Sequence, residues 1–135
     1  MIENRLPLGM VDTNIVIRLS ELAAESLPIR MLVSCITIAE LSVGPAVSVN
    51  DDEREMRQRH LEEARKKLDP RPFDAAAAFA FGKVAADIRA AGRKATARTF
   101  DALIAAAAIA ENVPLYTANP DDFANISELV VVPVT

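Results

Sequence analysis

The spacing of short apolar runs constrains this chain most. Leu8–Val11, Met31–Ile36, Val113–Thr117 and Val130–Val134 are brief and apolar nearly throughout, without polar alternation. Runs of that kind read as strands buried on both faces. The segments between them carry helical patterns over Ile15–Ala24, Thr37–Val43, Asp51–Leu68, Phe73–Ala91 and Thr99–Glu111. Strands alternating with helices predict parallel crossovers and a three-layer α/β/α domain of the Rossmann-like kind, with a short, mainly parallel sheet. One such domain is expected to occupy residues 1–135, which is near the commonest domain size.

Local signals sharpen the boundaries. Asp12-Thr13-Asn14 offers caps for the first helix, and Gly44-Pro45 reads as the stop of the second. Asp51–Leu68 alternates acids and bases along an apolar line of Leu61, Ala64 and Leu68, so it reads as an amphipathic helix with a solvated face and His60 exposed. Asp69-Pro70-Arg71-Pro72 reads as a linker or turn. Phe73–Ala91 is rich in alanine, the best helix former, with Phe79, Val84 and Ile88 expected inward and Gly92 closing it. Arg93–Arg98 forms a basic loop before Thr99–Glu111, a helix apolar on nearly all sides and expected to be buried. Asn112 suits its C-terminal cap. Cys35, between apolar residues, reads as a small buried hydrophobe.

Several function classes drop out at once. A single cysteine and a single histidine exclude a disulfide framework, a Cys-rich zinc site and multi-His metal sites. No apolar stretch approaches a membrane span, and Met1–Leu8 has no signal-peptide core, so a soluble cytoplasmic protein is expected. The formal net charge of −4 argues against a general nucleic-acid binder. That argument weakens once the charges are placed. Without Asp12, Glu40, Asp101 and Asp122 the remainder balances at 15 acidic and 15 basic residues.

In open parallel sheets, ligands bind beyond the carboxyl ends of the strands. Asp12 follows the first strand, and Glu40 lies just inside the helix after the second. Asp101 stands in the first turn of the helix feeding the third, and Asn119, Asp121 and Asp122 follow that strand. Carboxylates gathered at one edge repel one another, and a cation offsets the repulsion. An all-oxygen donor set suits Mg²⁺ or Mn²⁺ rather than zinc. A divalent ion among carboxylates is a common apparatus for activating water against a phosphodiester. Each residue also has a plainer reading. Asp12 and Asn119 can serve as helix caps, Asp101, Asp121 and Asp122 can favour helix N-termini, and Glu40 can be an exposed helical residue.

Four blocks occur in order: Val11-Asp12-Thr13-Asn14-Ile15-Val16-Ile17, Ile36-Thr37-Ile38-Ala39-Glu40-Leu41, Asp101-Ala102-Leu103-Ile104-Ala105-Ala106, and Leu115 through Asn119-Pro120-Asp121-Asp122-Phe123. Together they resemble the PIN-domain family, and within it the VapC-type toxins of bacterial toxin–antitoxin pairs, over nearly the whole chain. The resemblance implies a metal-dependent endoribonuclease that leaves 5′-phosphate and 3′-hydroxyl ends. Asp12 and Asp101 match the family's principal metal-binding aspartates and Glu40 its glutamate. The fourth acidic position falls on Asn119, a neutral oxygen ligand, which leaves Asp122 as a substitute. Thr13 matches a small hydroxyl position beside the first aspartate. Implied partners are a VapB-type antitoxin, an RNA substrate and a second copy of the chain in a homodimer. Ile15–Leu22 and Leu41–Val47 are candidate antitoxin grooves or, equally, core.

Arg89, Arg93, Lys94 and Arg98 precede Asp101 closely and would serve phosphate contacts, Arg98 foremost; as a helix end they would also suit the dipole. Two other readings stay open at this level. One is a receiver-like phosphoacceptor domain, which would want adjacent acids after the first strand and a late lysine. The other is a catalytically weak scaffold marked by Asn119.

Overall fold

The computed structural model describes residues 5–94 and 98–135. Residues 1–4 of the N-terminal run and residues 95–97 of the basic loop lie outside the described residues. Among the described residues thirteen elements follow one another, of which the strands are β1 (Leu8–Val11), β2 (Arg30–Ser34), β3 (Asp69–Arg71), β4 (Leu115–Thr117) and β5 (Val131–Pro133). The helices are α1 (Thr13–Ile17), α2 (Cys35–Ala46), α3 (Asp51–Lys67), α4 (Ala75–Ala90) and α5 (Thr99–Glu111), with 3-10 turns at Leu19–Glu21, Ala24–Ser26 and Pro120–Phe123.

All five strands are parallel, in the order β3-β2-β1-β4-β5. Two-residue periodicity sends neighbours to opposite faces. Met10, Leu32 and Leu115 join the core made with α4 and α5, while Val11, Val33 and Tyr116 join the core made with α1, α2 and α3. The three-layer expectation is met. Alanine does much of the packing, since Ala105, Ala106 and Ala108 are fully buried and let α5 lie close against the sheet and α4. Val84 and Ile88 point inward as expected, and Asn112 ends α5 in the left-handed conformation (φ 57°). Among the described residues no helix is long and apolar enough to cross a membrane.

Several expectations need correction. The segment read as a linker, Asp69-Pro70-Arg71, is an edge strand; an edge is where a sheet tolerates proline. The helix read over Ile15–Ala24 is one short α-helix followed by two 3-10 turns. The strand read to Ile36 ends at Ser34, whose side chain caps α2 by accepting from the Ile36 N–H. Helix α2 then runs through Gly44 and Pro45, because proline in the last turn removes only one ladder bond and Arg57 donates to the Gly44 carbonyl at 2.9 Å. Cys35 is exposed, since the earlier strand end turns its side chain outward. Phe79 is 85 % exposed because Ala77, Val84 and Ile88 fill the inner face of α4. His60 is half-buried in a cleft beside Met56 and Arg57.

Candidate active site

Among the described residues, the buried polar side chains are Asp12, Ser34, Thr37 and Thr117. All four lie where a parallel strand ends or in the first turn of the helix that follows. The site grows from that edge.

Asp12 is 3 % exposed. Its Oδ1 accepts from the Thr13 N–H at 2.8 Å, so it does cap α1. Its Oδ2 accepts from the Thr117 hydroxyl at 2.9 Å and from the Asn14 amide at 3.2 Å. A carboxylate has about four lone-pair positions, so roughly one is left for another partner. Burial raises the Asp12 pKa most. The Thr117 and Thr13 hydrogen bonds lower it in part, and the Glu40 and Asp122 charges raise it further.

Asn14 and Thr117 form a brace that sequence reasoning missed. The Asn14 amide donates to Thr117 Oγ1 at 3.3 Å, and Asn14 Oδ1 accepts from the Ala118 N–H at 3.1 Å. Thr117 Oγ1 also accepts from the Asn119 N–H at 3.0 Å. The available signal was a threonine closing an otherwise apolar strand, where a valine would pack as well.

Glu40 is reached through α2. Its Oε1 accepts from the Thr13 hydroxyl at 2.8 Å, and Thr13 and Thr37 share a hydroxyl contact of 3.0 Å. Its pKa is raised, chiefly by burial and partly by Asp101, with Thr13 opposing. Asp101 occupies the first turn of α5. Burial, then Asp12, then Asp122 push its pKa up to about 6, against a lowering by Arg98. Electrostatic influence thus links Asp12, Glu40 and Asp101 to one another and to the charge of Asp122, although they come from four segments.

Asn119, by contrast, is exposed, and its side chain makes no capping bond to the turn that follows. Asp121 is exposed as well. The acidic charge that acts on Asp12 and Asp101 from this segment belongs to Asp122. Among the described residues no group of three or more His, Cys, Asp or Glu is placed to hold a metal ion.

Arg98 does not face solvent alone. Its Nη1 pairs with Asp122 Oδ1 and stands 3.8 Å from Asp101 Oδ2. Arg93 donates to the Asp121 carbonyl at 3.2 Å, and Lys94 is exposed. These three cations, with Asp101 and Asp122, line a cleft of ≈ 380 Å³. Arg89 is exposed on the last turn of α4 and is not among the residues lining it. A second cleft of ≈ 460 Å³ lies between Glu40 and the start of α5. The arrangement offers an acidic row flanked by cations, which suits a phosphodiester approaching a cation held by carboxylates.

A family model described as the PIN domain matches residues 9–129. Ribonuclease VapC8 of Mycobacterium tuberculosis is 33 % identical over 109 residues, covering 80 % of this chain and 96 % of that protein. The fold is similar to the VapBC-5 toxin–antitoxin structure from Mycobacterium tuberculosis, with TM-score 0.79, 26 % identity, and 95 % of this chain and 99 % of that chain covered. VapBC2 from Rickettsia felis, bound to a DNA fragment from the promoter, matches with the same TM-score, identity and coverage.

Proposed function

The chain belongs to the PIN-domain family, within its VapC-type group, and from that membership we propose that it is a metal-dependent endoribonuclease, the toxin of a type II toxin–antitoxin pair. The observation that carries this reading is the linkage of Asp12, Glu40, Asp101 and Asp122 at one sheet edge, in a chain that is one third identical to a ribonuclease.

A divalent cation fits the donor set. The donors are all oxygen, the carboxyl pKa values of Asp12, Glu40 and Asp101 are raised by burial and by neighbouring acids, and a cation relieves both. Mg²⁺ commonly uses one or two carboxylates and keeps several waters, so a ready-made cage of three is not required. Asp12 and Asp101 would hold it, with Glu40 and Asp122 as further donors and Asn119 the weaker candidate. Bound there, the ion would supply an acidified water and charge stabilisation at the phosphate.

The remaining work falls to the chain. Thr117, Asn14 and the Thr13 N–H fix the Asp12 carboxylate. Thr13 orients Glu40, which accepts a proton from, or aligns, the attacking water. Arg98, Arg93 and Lys94 draw the phosphate backbone into the cleft.

The partners follow from the same reading: a VapB-type antitoxin, RNA and a second copy of the chain, in the cytoplasm. The cleft lined by Thr13, Ile17, Leu41, Gly44, Met56 and Arg57, with Val43 exposed on α2 and Val47 exposed just past its end, suits an apolar antitoxin segment. Digestion of mixed cellular RNA by the purified chain with Mg²⁺ tests the proposal. Cleavage that stops with chelator and with Asp12→Ala is expected. Equal cleavage by Asp12→Ala would overturn the assignment, and no cleavage by the wild type would favour the scaffold reading.

A further inference from the structure

Of the five phenylalanines, Phe123 is buried, Phe73 and Phe81 pack on the core, and Phe79 and Phe100 are exposed. Phe79 lies along α4. Phe100 is different, because it precedes Asp101 directly, is 53 % exposed, and lines the cleft formed with Glu40, Arg98, Thr99 and Asp101. An exposed phenyl ring has a cation before it and two carboxylates of the proposed catalytic row in the same cleft.

That juxtaposition is how single-stranded RNA is gripped. Splayed bases stack on aromatic side chains while neighbouring cations hold the backbone. The cleft that Phe100 lines also includes Glu40 and Asp101, so it borders the row where the proposed scissile phosphate would sit. We infer that Phe100 is a stacking platform for an unpaired RNA base next to the cleaved phosphate, with Arg98 holding the adjoining phosphate. The inference rests on the ribonuclease reading and adds to it one residue, Phe100, that recognises the base beside the cleaved phosphate. Phe100 is thus a specificity residue that acts through the substrate's base.

The test uses the absence of tryptophan from the chain. Phe100→Trp places the chain's single tryptophan at the cleft, where it can be excited apart from Tyr116. In an Asp12→Asn background, which blocks turnover, a short single-stranded RNA should quench that fluorescence, and an abasic scan should relieve the quench at one nucleotide. In the active protein, Phe100→Ala should raise KM about tenfold with kcat within about threefold, and Phe100→Tyr should restore KM. Duplex RNA should be cut poorly by every variant.

RNA affinity unchanged in Phe100→Ala, with no quench in Phe100→Trp, would overturn the inference while leaving the nuclease intact. A changed molecular mass of Phe100→Ala by light scattering, with RNA affinity unchanged, would also overturn it and place Phe100 at a protein interface. A wild type that cuts no RNA would remove the underlying reading, and the inference with it.

Discussion

The Thr117 hydroxyl donates to Asp12 Oδ2 at 2.9 Å, joining the ends of adjacent strands β4 and β1 across 105 positions of sequence. The bond is buried and its acceptor is a carboxylate, the type of hydrogen bond with the largest net value. Thr117→Val keeps the shape and deletes the donor. The Asp12 pKa should then climb, and kcat/KM at neutral pH should fall about tenfold, with the acidic limb of the pH–rate profile moving upward. Thr117→Ser should recover most of the loss. Steady-state cleavage of a fluorescent RNA across pH checks all three.

The carboxylates should differ in weight. Asp12→Asn and Asp101→Asn are expected to lower kcat by about 10²- to 10⁴-fold with circular dichroism unchanged. Asp122→Asn should cost more than Asn119→Ala, because the Asp122 charge acts on Asp12 and Asp101 while the Asn119 side chain is exposed. Single-turnover cleavage at saturating Mg²⁺ ranks them.

Asp101 also sets a pH dependence of stability. Its carboxyl is raised from 3.8 to about 6 on folding. The unfolded chain releases this proton at lower pH than the folded one, so the charged form opposes folding. The contribution is absent below about pH 4 and reaches full size above about pH 6. In chelator, Asp101→Asn should therefore gain about 1 to 2 kcal/mol at pH 7.5, after allowance for solvent screening, and nothing at pH 4. Thermal melts at the two pH values give the comparison, and Mg²⁺ should narrow it at pH 7.5.

Arg98 touches both sides of the proposed chemistry. It pairs with Asp122 and stands near Asp101, so it competes with a cation for the same carboxylates. Arg98→Gln should tighten Mg²⁺ binding a few-fold and raise the KM for RNA by a similar factor. Calorimetric metal titration and cleavage kinetics on one preparation separate the two effects.

Gly9 lies under the ring of the residue before Thr117. A Cβ there would stand 2.5 Å from Tyr116 Cε1 and 3.2 Å from Pro28 Cγ. Gly9→Ala should cost about 1 to 3 kcal/mol through overpacking at the central strand pair, measurable by urea denaturation.

Much of this was legible in the sequence, for physical reasons. The apolar runs that became β1, β2 and β4 place buried residues on both faces, so their composition alone marks them, whereas the valine run of β5 carries the same signal at a sheet edge where its residues stay partly exposed. Asp12 and Asp101 stand out as charges beside apolar neighbours. The Asp69–Arg71 strand was not legible, because a three-residue edge strand carries no periodicity and Pro70 argues for a turn. The exposure of Phe79 was hidden for another reason. On α4 the inner face is filled by Ala77, Val84 and Ile88, and the surrounding alanines do not mark Phe79 as lying off that face. The Asn14–Thr117 brace was invisible because hydrogen bonds between residues 103 apart leave no local trace. Asp122 could be set against Asn119 only in three dimensions, where the short turn at Pro120–Phe123 carries one acidic side chain toward Asp101 and leaves the amide outside.

The strand order carries a consequence for the timing of synthesis. Asp12 lies near the start of the chain, yet the hydroxyl that braces it arrives with β4, after some hundred further residues have been made. A ribosome partway along the message thus bears Asp12 and Glu40 without Asp101, Thr117 or Asp122. The proposed acidic row is complete only when the last third of the chain emerges and inserts β4 beside β1. On the proposed assignment, a product truncated before β4 is expected to leave RNA uncut.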